Sequence, residues 1–231
     1  MTLRLAAIVL FLLPSLAPAQ VAESPGLKAR VKAWAQTQEW SMSGSFTATV
    51  FEQDAWKEVL GKDYLPLIRF GSGWYPVTNL SLETAVGGMY EEGAAIGSIT
   101  GEASGEDFKF YAAPVEINLR YRFRFLDNQI LVPSVWAGAD WWYFKEDNDF
   151  SPDVEGDKTG YRLGADLGIL LDALDPPAAH VMKRDYGVRD TYLCLGYERA
   201  AVGDRNQGLS FTGDYYLVSL RFDLGPAHAS R

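Results

Sequence analysis

The sequence predicts an all-β protein: an antiparallel, up-and-down, eight-stranded transmembrane β-barrel. Three observations predict it. The first is alternation. Tyr216, Val218, Leu220 and Phe222 share one face of a segment whose other face carries Ser219, Arg221 and Asp223, and alternate side chains of a strand point to opposite faces. The second is an export signal at residues 1–19. Met1–Arg4 is a short basic start, Leu5–Leu16 an apolar run, and Ala17-Pro18-Ala19 a small-x-small cleavage pattern before Gln20. The third is a rhythm of long polar links alternating with brief turns, as outer-membrane barrels show.

Bulk composition narrows the choice. The apolar run in the signal is too short to span a bilayer comfortably as a helix, and Gln20 in place of Cys argues against a lipoprotein anchor. The remaining length suits one domain. The chain of 231 residues has 21 basic and 30 acidic residues, a net charge of −9 that becomes −10 once Arg4 leaves with the signal. An acidic balance argues against nucleic acid as a partner. Hydrophobic residues make up 48%, with seven Trp, yet no uninterrupted apolar stretch of the mature part is long enough for a transmembrane helix. An exported chain without a helical span is either soluble or a barrel. Cys194 is the single cysteine, so no intrachain disulfide is expected and packing and strand pairing must hold the fold.

The elements follow in order. Residues 20–41 are a periplasmic lead-in. Ser24-Pro25 suits a helix start, and Leu27, Val31 and Trp34 share a face opposite Lys28, Arg30 and Lys32. A frayed tail is the simpler reading and a short helix on the membrane surface the alternative. The barrel then spans 42–224. Its first strand is expected at Met42–Glu52, with Phe46, Ala48 and Val50 opposite Ser45, Thr47 and Thr49. The second is Tyr64–Tyr75, with Ile68, Phe70 and Trp74 opposite Arg69, Gly71 and Gly73, and a turn over Pro76–Asn79. The third is Leu80–Tyr90. The fourth, Phe108–Arg124, is the clearest: Val115, Ile117, Leu119 and Tyr121 oppose Glu116, Asn118, Arg120 and Arg122. After a turn at Leu126–Gln129 come Ile130–Phe144, Gly160–Leu171, Val188–Ala201 and Leu209–Leu224. Spans near or above ten residues with period 2 suit tilted membrane strands.

The links at Asp54–Asp63, Glu91–Asp107, Lys145–Thr159 and Val202–Gly208 read as polar loops. The sixth link, Asp172–Gly187, is long for the opposite end, and Asp175-Pro176-Pro177 followed by Ala178–Tyr186 and Gly187 predicts a capped short helix there. The residues after the last strand, 225–231, form a tail.

Alternation alone leaves two orientations open: an inside-out membrane barrel, or a soluble periplasmic lipocalin-like carrier with its apolar face inward. Strand glycines favour the former. Gly71, Gly73, Gly138, Gly164, Gly168 and Gly196 all lie on the charged face, where a narrow barrel crowds its interior. Charges on that face are mixed, with Glu83, Glu116, Asp140, Asp166, Glu198 and Asp223 against Arg69, Arg120, Arg122, Arg162 and Arg221. Inside a lumen they form an ionic network rather than an open pore. Tyr90, Tyr111, Trp141, Tyr143 and Tyr161 near the loop ends, and Trp74, Tyr75, Tyr121, Phe123 and Phe222 near the turn ends, make two belts for the two bilayer interfaces.

The signal peptide, the eight alternating strands and the closing Tyr216-x-Val218-x-Leu220-x-Phe222 strand resemble small outer-membrane proteins of the OmpA and OmpX barrel type. The resemblance is architectural and covers about residues 42–224. It implies an outer-membrane location, contact with outer-membrane lipids and insertion by the barrel assembly machinery. In that family an aromatic residue usually ends the chain, whereas here Phe222 is followed by Asp223-Leu224 and the tail. The implied role is structural or interactive: envelope integrity, or loop-mediated binding of an extracellular or periplasmic protein.

Candidate chemistry is sparse. Barrel enzymes acting on lipid A use His with Ser or Asp, but His180 falls in the sixth link and His228 in the tail, both away from the outer-leaflet rim. Nothing in their spacing brings a nucleophile and a base within reach. The acids of 145–158, Glu146, Asp147, Asp149, Asp153, Glu155 and Asp157, have oxygen ligands suited to calcium but lack a calcium-loop spacing, and read as a solvated acidic loop. Cys194 reads as a small lumen-filling residue. The sequence therefore nominates no catalytic, cofactor-binding or metal-ligating residue, and no cofactor. A narrow conduit remains an alternative, opposed by the filled lumen.

Overall fold

A computed structural model describes residues 39–96, 103–126, 129–148, 152–203 and 209–225. The predicted signal peptide, the lead-in before Glu39, Asp127 and Asn128 of the fourth link, and the tail after Gly225, with His228, lie outside the described residues. Eight strands run β1 Trp40–Phe51, β2 Leu65–Val77, β3 Leu80–Ile96, β4 Ala103–Arg122, β5 Leu131–Asn148, β6 Val154–Leu170, β7 Val188–Val202 and β8 Gly213–Leu224. Each pairs antiparallel with its neighbours in sequence, and β1 closes on β8 from Trp40↔Leu224 to Phe51↔Gly213. Closure leaves no open edge. Among the described residues no helix is long and apolar enough to cross a membrane.

The orientation is inside-out. Phe70 is 66% exposed, Leu163 57% and Leu119 52%, whereas Arg162 and Asp223 are fully buried. The apolar face therefore points away from the barrel axis, which excludes the soluble-carrier arrangement. Charged side chains on the inner face crowd small residues as expected. A Cβ added to Gly164 would stand 2.3 Å from the Trp136 ring, so only glycine lets that ring lie across β6. Around Pro114, which has no N–H to donate, the β3–β4 ladder skips from Val86↔Val115 to Met89↔Ala112.

Several boundaries differ from the sequence expectation, each for a local reason. Pro76 sits in a bulge between Trp74 and Val77 of β2, and Tyr75 continues the inward phase of Arg69, Gly71 and Gly73 and is buried, while Trp74 faces out. Tyr75 thus does not join the belt in which its place near the turn end put it. Strands β3 to β6 run well past the membrane-length segments, so much of 91–107 and 145–158 is hairpin rather than loop. The eighth strand begins at Gly213, because Leu209–Thr212 folds over the barrel mouth instead of extending the strand. Among the described residues two short α-helices link strands. α1, Asp54–Leu60, occupies the first link, which reads as a polar loop, and ends at Gly61 with φ 63°. α2, Pro176–Val181, lies in the sixth link as expected, with the Asp175 carboxylate accepting from the Ala178 N–H and a π-helical turn over Met182–Tyr186 ending at Gly187.

Exposed aromatics collect at both ends of the apolar band. Tyr90 and Tyr111 pair across β3 and β4 with ring centroids 5.0 Å apart. At the other end Tyr121 packs edge-on against Phe123 at 5.1 Å, near exposed Trp74. Trp141 and Tyr143 are half-buried, as is Phe222, which packs near Val188 and Leu224.

Candidate functional site

The barrel interior is the region where polar chemistry is concentrated, and it is layered. At the loop end an aromatic plug closes the mouth. Trp56 and Leu60 are one helical turn apart in α1, which sends both inward, and they join Phe51, Phe110, Trp142, Phe144, Phe211 and Tyr215 in one buried cluster. The Trp56 ring meets Phe51 at 4.7 Å and Phe110 edge-on at 5.0 Å, and Trp142 stacks on Phe211 at 4.5 Å. Polar bonds hold the plug down. Trp56 Nε1 donates to the Ser210 carbonyl at 2.9 Å, the Tyr215 hydroxyl to the Phe211 carbonyl at 2.7 Å, and the Ser210 N–H to Gln53 Oε1 at 3.1 Å.

Beneath the plug lies a cluster of two guanidiniums and three carboxylates. Arg162 grips Asp140 with two bonds, Nε to Oδ1 at 2.5 Å and Nη2 to Oδ2 at 2.7 Å. Its Nη1 meets Glu198 Oε1 at 2.8 Å and Glu116 Oε1 at 2.9 Å. Arg69 Nη1 reaches the same two oxygens at 2.6 and 3.1 Å, while its Nη2 donates to Thr47 at 2.9 Å. Bidentate guanidinium–carboxylate pairing in a dry interior is strong and directional.

The next layer centres on Arg120. Its Nε donates to Glu83 at 2.8 Å and its Nη1 to Asp166 at 2.6 Å, and its guanidinium lies 3.9 Å from the Trp136 ring centroid. Asp166 also accepts from the Ser134 hydroxyl. At the termini end Arg122 donates to Asp223 at 2.7 Å and lies 4.4 Å over Tyr75, whose hydroxyl also reaches Asp223 at 3.3 Å. Arg124 and Arg189 both pair with Asp190 at 3.0 Å, and Arg189 also approaches Asp223 at 3.5 Å.

Six carboxylates and five arginines were named on this face from alternation alone, and the fold brings all of them to the interior. Cys194 is buried beside Val132, Leu170 and Tyr192. His180 is exposed on α2 at the termini end, away from the interior. In the stretch 145–158, Lys145 pairs with Asp153 at 2.9 Å, Tyr143 donates to Glu155 and Trp141 to Asp157, both at 3.1 Å. Those acids serve cross-strand bonds between β5 and β6. Among the described residues no group of three His, Cys, Asp or Glu side chains is placed to hold a metal ion. Sequence reasoning missed the plug; the spacing of Trp56 and Leu60 ahead of Gly61 was its available signal. In the link at the termini end, the Asp172 carboxylate accepts the Thr191 N–H at 3.0 Å, and burial pushes its carboxyl above the ordinary range.

With this geometry in hand, comparison with solved structures gives the fold a context. The outer membrane protein OprG from Pseudomonas aeruginosa superposes with a TM-score of 0.56 at 10% identity, over 82% of this chain and 97% of that one. The N-terminal β-barrel domain of Pseudomonas aeruginosa OprF gives 0.47 at 11% identity, over 80% and 97%, and Neisserial surface protein A gives 0.44 at 13%, over 80% and 95%. The OprG likeness establishes an eight-stranded outer-membrane barrel fold; the other two carry no further weight. No family model and no curated protein matches the sequence.

Proposed function

We propose that the chain is an outer-membrane barrel with a structural or surface-binding role, its signal peptide removed on export and its loop end facing outward from the cell. The carrying observation is the occupied interior: an aromatic plug over successive layers of paired charge. Such packing supports a closed lumen and leaves the loops and outer wall as the working surfaces. The exposed apolar band between two aromatic belts fits outer-membrane lipid, and the closing strand with Phe222 fits recognition by the barrel assembly machinery. Absence of catalysis is part of the reading, since His180 lies at the end opposite the loops.

Reconstitution into planar bilayers tests the closed lumen. The expected result is no stepwise conductance and no flux of small solutes from vesicles; reproducible channel steps would overturn it. Protease treatment of intact cells should cleave only at the loop end, and lipid A should be unchanged between cells with and without the gene.

A further inference from the structure

We propose that the middle of the lumen holds a monatomic anion, bound between the Arg221 guanidinium and the serine face of β1. A polar cavity of about 50 Å³ opens there, onto Arg221, Ser41, Ser43, Ser45 and Asn118, with the paired groups Arg69, Arg120, Glu83, Glu116 and Glu198 also on its wall. At roughly 10–15 Å³ per water-sized occupant, that space takes a halide-sized ion with a water or two. Larger oxyanions with several polar oxygens are less well suited to it.

Arg221 is the reason to expect an anion and not water alone. It is 5% exposed. Its one ionic contact is Glu83 Oε1 at 3.7 Å, beyond hydrogen-bond reach. The carboxylates that could serve it are already taken. Glu83 accepts from Arg120 at 2.8 Å and from the Ser81 hydroxyl at 3.0 Å, and Asp166 is bonded to Arg120 and Ser134. Arg120 thus holds two carboxylates while Arg221, next to it in the lumen, holds none by hydrogen bond. A buried guanidinium needs its donors satisfied.

The walls supply matching donors. Ser43 stands directly opposite Arg221 in the β1–β8 ladder, with Ser41 and Ser45 one inward position to either side. Among the described residues the hydroxyls of these three serines have no hydrogen-bond partner, and each borders the cavity. Hydroxyl and guanidinium donors thus converge on one space, while the three carboxylates that also border it are already bonded, Glu83 to Arg120 and Glu116 and Glu198 to Arg69 and Arg162. The unpartnered Asn118 Oδ1 at the same cavity accepts from the water that accompanies the ion.

Crystals grown without chloride and soaked in bromide, with data collected at the bromine edge, test the site. The expected result is one anomalous peak in contact with the Arg221 guanidinium and Ser43 Oγ, lost in Arg221→Gln. Density for water only, or bromide peaks confined to the outer surface, would overturn the proposal. Ser43→Val keeps the guanidinium and fills the space, so it serves if Arg221→Gln does not fold. In micelles the wild-type unfolding midpoint should rise in bromide over gluconate at equal ionic strength, and Ser43→Val should abolish that rise. Equal wild-type midpoints in the two salts would also overturn it.

Discussion

Arginine placed at successive outward positions of β4 should read out the depth of the wall. Tyr111 and Tyr121 mark the two belts on this strand and stand ten residues apart, with Val115, Ile117 and Leu119 facing outward between them. A strand rise of about 3.4 Å per residue and a tilt of about 40° give roughly 2.6 Å per residue along the membrane normal. The belts are then about 26 Å apart, which matches an apolar band of about 25 Å. Ile117 lies about 10 Å from the Tyr121 belt on the same rise and tilt, and Leu119 only about 5 Å. A guanidinium at 119 can snorkel to the interface; one at 117 is held among acyl chains. Ile117→Arg should therefore cost about 2–4 kcal/mol and Leu119→Arg about 0–1 kcal/mol or slightly more. Urea titration of protein folded in lipid vesicles, followed by tryptophan emission, measures both. Ile117 is 55% exposed, so on a water-facing wall its replacement would fall within about 0.5 kcal/mol of wild type. That result, or equal costs at the two positions, would refute the inside-out assignment.

Arg162→Met should destabilise the barrel by about 3–5 kcal/mol in the same titration, because it strands Asp140 beside Glu116 and Glu198; adding Asp140→Asn should recover part of that loss. Gly164→Val should unfold at lower urea and disturb Trp136 emission, since the new Cβ would stand 2.3 Å from that ring; wild-type stability would contradict the packing described. At the termini end, the raised Asp172 pKa means that the folded state favours the protonated carboxyl. Stability contributed there is complete below the ordinary carboxylate pKa and falls as pH rises through the shifted value. Asp172→Asn should thus raise the unfolding midpoint at pH 7 relative to wild type, with the difference vanishing near pH 3; a difference that grows toward acid would refute the sign.

Legibility in the sequence followed the physics of each region. Where one face meets acyl chains and the other a crowded interior, period 2 is enforced residue by residue, and Val115 to Tyr121 against Glu116 to Arg122 could be read directly. Beyond the band that constraint ends. Glu91–Ala94 and Lys145–Asp147 remain paired strand, but polar residues stand at successive positions there and alternation of polarity disappears, so hairpin looked like loop. Tyr75 was misplaced because it was grouped with its neighbour Trp74 at the turn end, although alternation from Arg69, Gly71 and Gly73 already sets it inward. The plug was hidden for a different reason. Trp56 and Leu60 lie in a seven-residue helix, too short for a periodic pattern to stand out, and their partners Phe110, Trp142 and Phe211 come from other strands and links. Such contacts are long-range and leave no local trace.

Charge distribution explains why a closed barrel of this kind still has a distinctive exterior. The six acids and five arginines that the sequence places on the inner face are nearly balanced; nearer the mouth the buried Glu91 pairs with Lys62, and Arg189 approaches Asp223 at 3.5 Å. A low-dielectric interior requires such neutrality, since each unpaired ion there costs several kcal/mol. Acidity is therefore displaced to water. The stretches 90–109 and 143–159 hold eleven acids and three lysines, a balance of −8 within a chain total of −9. Both belong to links at the same end of the barrel, so that end presents a negative field while the interior and the opposite end stay close to neutral. Fields of this kind act over a Debye length of about 8 Å at physiological salt. Association of any protein partner with the loop end should accordingly favour a basic surface and weaken steeply with ionic strength, whereas contacts made through the apolar wall should be indifferent to salt.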